Sequence, residues 1–164
     1  KTPLRSPKPL HRSLTMIDKW HLRFLRLARE VASWSKDPST QVGCVIVDQS
    51  KRVVSLGFNG LPAGLHDTAG RLLDRELKLA LTIHAEENAL LFAAQPVRGC
   101  LAFVTRHPCA SCAAKLIQSG IGAVIYLTNP DFDRRWADNL AISDHALAEA
   151  GVPILAINSD LLEI

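Results

Sequence analysis

The sequence predicts an α/β fold: a mixed sheet of roughly five strands with helices on both faces. Three observations carry that expectation. Short apolar runs rich in Val, Ile and Leu recur at 42–47, 52–58, 101–105, 123–127 and 153–157. The first two are separated only by the polar turn at 48–51, so they form an antiparallel hairpin. The later three are separated by helix-length segments, which favours parallel strands covered by helices on both sides. With 164 residues, 48% of them hydrophobic, the chain is long enough for one globular unit with its own core.

Residues 1–15, with Pro3, Pro7 and Pro9 among basic side chains, are expected to be a flexible basic arm, and residues 16–164 a single domain. Residues 1–30 hold eight Lys/Arg and two Asp/Glu, giving +6, and the rest hold eleven against fourteen, giving −3, so the net +3 is an amino-terminal excess. A solvated tail is a simpler reading of that excess than a nucleic-acid contact. Next, Ile17, Trp20, Phe24, Leu27, Val31 and Trp34 recur at steps of three and four, with Thr15 and Asp18 placed like a capping box. A long amphipathic helix is expected over 15–34, its stripe serving as core or subunit interface. Asp37-Pro38 breaks the chain before the hairpin, and Gly60, Pro62, Gly64 and Gly70 mark a loop after it. Helices are then expected near 71–79, 84–94, 108–119 and 134–150, interleaved with the remaining strands. No run of 18 apolar residues is present, and the amino terminus lacks the apolar core of a signal peptide. The expected location is cytoplasmic, where thiols stay reduced.

The chemistry is concentrated in His84-Ala85-Glu86 and Pro108-Cys109-Ala110-Ser111-Cys112. Alone, a C-x-x-C pair is read as a redox couple or as chance, and a single histidine as a packed or surface residue. Together, one imidazole and two thiolates make the three protein ligands of a catalytic zinc site whose fourth position is left for water. Cys44 and Cys100 sit singly in apolar runs and complete no four-ligand structural site. Pro108 suits the first position of a helix, with Cys109 in a first turn that favours thiolate and Cys112 one turn on. An H-x-E motif followed by P-C-x-x-C marks the zinc-dependent nucleobase deaminases, where the glutamate moves protons and is not a ligand. Helix periodicity alone would pair His84 with Glu87, at i+3, so the choice of Glu86 rests on the motif.

Two further segments, Ser35-Lys36-Asp37-Pro38-Ser39-Thr40-Gln41-Val42-Gly43 and Gly57-Phe58-Asn59-Gly60-Leu61-Pro62, extend the pattern. With the zinc motif they make the chain resemble the deoxycytidylate (dCMP) deaminase family, a branch of the cytidine deaminase superfamily. The resemblance implies a three-layer αβα fold and one catalytic Zn2+ on His84, Cys109 and Cys112. It also implies Glu86 as proton shuttle, Asn59 in contact with the nucleotide, and conversion of dCMP to dUMP and ammonia, supplying thymidylate synthesis. Backbone N–H groups around Ala85 and Cys109 are candidates for base oxygens. The insert before His84 offers only His66 and Asp67 for a second metal, so one zinc is expected. Lys36, Arg71, Arg75, Lys78 and Arg106 are the cationic candidates for a 5′-phosphate, each weighed against an ordinary surface charge. The expected partners are a small-molecule nucleotide and further copies of the chain, as a dimer or hexamer, without nucleic acid or membrane. Two other readings stay open: a deaminase of another nucleotide, nucleoside, base or tRNA adenosine, and a non-catalytic module that keeps zinc only for folding. An intact Glu86 speaks against the second, since folding needs the ligands and not the proton shuttle.

Overall fold

The computed structural model describes residues 17–163. The basic arm expected at 1–15 lies outside them. Helix α1 (Lys19–Ala32) begins after Asp18, whose carboxylate accepts from the Trp20 and His21 N–H groups at 2.8 and 3.0 Å. The His21 ring accepts in turn from the Asp18 N–H at 3.0 Å. The capping box is therefore Asp18 and His21, and the helix is shorter at both ends than the apolar spacing suggests.

The sheet has five strands in the order β2-β1-β3-β4-β5. Strand β1 (Gly43–Val47) pairs antiparallel with β2 (Val53–Phe58) and with β3 (Leu101–Val104). Strands β3, β4 (Ala123–Thr128) and β5 (Ile154–Asn158) run parallel. This is the mixed sheet the connection lengths predict. Its two faces follow from strand alternation, since neighbouring residues point opposite ways. Val45, Phe103 and Ile125 meet Phe24, Leu25 and Val31 of α1 on one face. Cys44, Ala102 and Val124 meet Ala89, Leu116 and Leu147 on the other. Cys44 is thus a core side chain. Most of the apolar stripe of α1 is core as well, while Ile17 and Trp34 at its two ends are exposed.

The second layer is made by α4 (Ala85–Leu91), α5 (Ala110–Ser119) and α7 (Ala137–Glu149). Two glycines set how closely helices approach the sheet. A Cβ at Gly43 would stand 2.0 Å from the Ala28 carbonyl oxygen, and one at Gly57 would stand 2.2 Å from that of Ala85 and 2.3 Å from the Ala89 nitrogen. Both helices lie directly on strand backbone, which only glycine permits.

Two expected helices are split. The charged segment forms α2 (Ala69–Leu73) and α3 (Arg75–Leu81), divided at Asp74, which caps α3 by accepting from the Leu77 N–H at 3.0 Å. The segment expected at 134–150 forms α6 (Pro130–Arg135) and α7, divided at Trp136. In both places a side-chain cap or an early proline starts a new helix before the apolar period would. Among the described residues no helix is long and apolar enough to cross a membrane.

Candidate active site

The loops that lead into α4 and α5 carry the three candidate ligands. After β2, Gly60 and Ile83 form an isolated bridge, with N–H to oxygen distances of 2.9 and 3.1 Å, which brings the chain back to His84 at the start of α4. After β3, residues 105–108 deliver Cys109 to the start of α5. Both His84 and Cys109 are N-cap residues with extended backbone, and neither side chain makes a capping hydrogen bond. Cys109, and not Pro108, marks the entry to the helix. An N-cap side chain ordinarily turns back onto helix N–H groups; here both are left to converge on one point.

The His84 Nδ1 lies 3.5 Å from the Cys109 Sγ and 3.3 Å from the Cys112 Sγ. All three atoms fall within 4.8 Å of one another. Zinc bonded to sulfur at about 2.3 Å and to nitrogen at about 2.0 Å in a tetrahedron gives a nitrogen–sulfur edge of about 3.5 Å. The donor set and its spacing fit that ion, with Nδ1 as the ligand nitrogen. It is the His/Cys/Asp/Glu cluster with metal-site geometry found among the described residues.

Glu86 is 4% exposed, and its carboxyl lies against the Cys112 thiol. Glu87 points away and pairs with Lys115 on α5 at 2.7 Å. The i+3 argument for Glu87 fails because His84 is a cap with extended backbone and so lies off the helical surface to which that spacing applies. The Glu87–Lys115 pair ties together the two helices that carry the candidate ligands, and no periodicity within one helix could have revealed it.

The charges of the site reflect this crowding. Burial pushes the Glu86 carboxyl above its ordinary value, partly opposed by its own backbone N–H and by His84. The hydrogen bond from Cys112, and next the one from His84, pull Cys109 down to about 4. The Cys109 thiolate and burial hold Cys112 up, and the same thiolate raises His84. Any metal that enters must displace the protons on Cys112 and His84, so its affinity rises with pH.

Asn59 is 6% exposed, and its side chain is engaged within the protein. Its Oδ1 accepts from the Val42 N–H at 2.8 Å and its Nδ2 donates to the Thr40 carbonyl at 2.9 Å, bracing the loop before β1. Ala85 is wholly buried against Gly57. Lys78 is paired with Asp37 at 3.0 Å, Lys36 with Asp67 at 2.7 Å, and Arg71 donates to the His66 carbonyl at 3.2 Å. Arg106, three residues before Cys109, lines a groove of about 870 Å³ at the carboxyl rim, together with Gln41, Asn129 and Arg135. Sequence alone could not rank these cations, because the ion pairs that occupy the lysines join residues 31 and 41 positions apart.

Residues 18–128 match the family described as the cytidine and deoxycytidylate deaminase zinc-binding region. An uncharacterized deaminase in the luxG 3′ region of Aliivibrio fischeri is 47% identical over 149 residues, covering 90% of this chain and all of that protein. The deoxycytidylate deaminase of Mus musculus is 37% identical over 123 residues, covering 70% of this chain and 68% of that one. Among solved structures, the dCMP deaminase of cyanophage S-TIM5 superposes with a TM-score of 0.68 at 22% identity, over 87% of this chain and all of that one. At that identity the likeness is one of fold.

Proposed function

Because the chain belongs to the cytidine and deoxycytidylate deaminase family, whose zinc-binding region it carries, we propose that it hydrolyses dCMP to dUMP and ammonia, with His84, Cys109 and Cys112 as zinc ligands and Glu86 as catalytic acid and base. The observation that carries this reading is the buried Glu86 carboxyl beside the three converging donors. A zinc ion held there supplies Lewis acidity and brings the pKa of water toward neutrality. Glu86, ionised, takes a proton from the attacking water and delivers it to the ring nitrogen next to C4, then takes the remaining proton from the new C4 hydroxyl and passes it to the departing amine. A C4–O bond forms, the C4–N bond breaks, and the carboxylate returns to its starting state. Burial aids both halves of the cycle, since a raised pKa makes Glu86 a stronger base and keeps it within reach of the neutral form.

The 5′-phosphate is assigned to the rim groove, where Arg106 offers a guanidinium not taken by an ion pair at hydrogen-bond distance. The three chain steps from Arg106 to Cys109 span at most about 11 Å, a gap a nucleoside monophosphate can bridge. Asn59 acts on the nucleotide by bracing residues 40–42, and the backbone at Ala85 faces the base. The enzyme is expected to be a cytoplasmic homo-oligomer without nucleic-acid partners. Light scattering at micromolar concentration tests the assembly, and a monomer there refutes it.

Ammonia release across cytosine, deoxycytidine, CMP, dCMP, dCTP, their 5-substituted forms and adenosine-containing RNA tests the substrate. We expect dCMP to be turned over at least tenfold faster than deoxycytidine. Activity confined to nucleosides or RNA overturns the reading.

A further inference from the structure

We propose that α7 is a positioning element for the metal-binding loop, acting through Asn139 and Asp144. Cys109 occupies the N-cap of α5 but supplies no cap, because its sulfur faces His84 and Cys112. A helix start with no side-chain acceptor of its own leaves its first N–H groups to be satisfied from elsewhere. One acceptor comes from α7: the Asn139 Oδ1 accepts from the Ala110 N–H, the residue directly after Cys109, at 2.9 Å.

A second tether lies on the other side of the cysteine. His107 is 5% exposed and packs edge-on against Tyr126, with ring centroids 4.6 Å apart. Its Nε2 lies 2.9 Å from the Asp144 Oδ1, and its Nδ1 lies 2.9 Å from the Pro108 carbonyl. The four residues 107–110 are therefore gripped at both ends by one helix that contributes no ligand itself. The same arrangement explains how Cys109 can stand at a helix start without bending back onto it. Partners that orient ligands from outside the coordination sphere commonly change metal affinity by about 10- to 100-fold. Both α7 side chains are exposed, which places the expected effect near the lower end.

The inference rests on Cys109 and Cys112 holding zinc, and the experiment separates the two claims. Zinc content and the rate of zinc transfer to a chromogenic chelator are measured for the natural protein, Asn139→Ala, Asn139→Asp, Asp144→Ala and Asp144→Asn. Melting temperatures are recorded with and without metal. We expect about tenfold faster zinc release in Asn139→Ala and Asp144→Ala, and a smaller metal-induced rise in melting temperature. Recovery is expected in Asn139→Asp, which keeps an acceptor at the positive end of α5. A merely structural role would lower the metal-free and metal-loaded melting temperatures equally and leave release unchanged, which would overturn the proposal. If Asn139→Ala fails to fold, the half-exposed Asp144 variants decide alone: natural release in Asp144→Ala rejects the tether. Absence of zinc from the natural protein sinks the ligand assignment, and the positioning role with it.

Discussion

Glu86 and Glu87 are adjacent in the chain and opposite in environment, one buried beside Cys112 and the other paired with Lys115. Glu86→Gln keeps shape and hydrogen-bonding atoms but cannot carry the proton, so zinc content should stay stoichiometric while kcat falls by about a thousandfold or more. Glu87→Gln should retain most of its rate, and the reverse outcome reassigns the base. His84→Ala and Cys109→Ala should lose metal as well as rate, measured as zinc per chain. A second residue-scale test concerns Asp37, whose side chain is 10% exposed against a Lys78 that is 11% exposed. Burial pushes the Asp37 carboxyl up, but the N–H groups of Ser39 and Thr40 together with Lys78 outweigh it and leave its pKa below the ordinary 3.8. A depressed folded-state value means stability that is present above pH 3.8 and lost as pH falls through the lower folded value. Asp37→Asn should therefore be destabilised by about 2–3 kcal/mol at neutral pH, since Lys78 is left buried without its counter-charge. The gap to the natural protein should close in denaturant titrations below pH 3.8.

At the scale of elements, α4, whose N-cap is the candidate ligand His84, lies directly on Gly57 of β2. A methyl group there would meet the backbone of Ala85 and Ala89 at 2.2 and 2.3 Å, and neither is the end of a flexible side chain that could yield. Gly57→Ala should cost about 1–3 kcal/mol through overpacking. It should also displace the start of α4, so zinc release should quicken, a change that the equally crowded Gly43→Ala under α1 should not produce. Chelator competition on both variants, beside their melting temperatures, makes the comparison. Equal zinc release in the two would show that α4 takes its position from elsewhere.

For the whole molecule, metal and fold are linked, because an ion that binds only the native chain stabilises it by RT ln(1 + [L]/Kd). At a hundredfold excess over Kd this is about 2.7 kcal/mol, or roughly 5–10 °C in melting temperature for a chain of this size. Removing zinc with a chelator should lower the melting temperature by that amount, and adding it back should restore it. The increment should shrink as pH falls, since protons return to the cysteines and to His84. A melting temperature indifferent to chelation would mean that the three donors hold no metal in the folded protein.

The mixed sheet, the hairpin and the three candidate donors were legible in the sequence alone, because each depends on local spacing: strand runs, connection lengths and an H-x-E with a P-C-x-x-C. Tertiary structure decided what those rules cannot reach. It made His84 and Cys109 caps, which removed the helical geometry that favoured Glu87. Lys78 and Lys36 are engaged in ion pairs, leaving Arg106 beside the groove. The Asn59 amide is turned onto the loop before β1, and Asn139 stands against the start of α5. The contacts of Lys36, Lys78, Asn59 and Asn139 join residues 17 to 41 positions apart. Periodicity describes which face a residue occupies on its own element; which neighbour waits at that face is settled only when the layers pack.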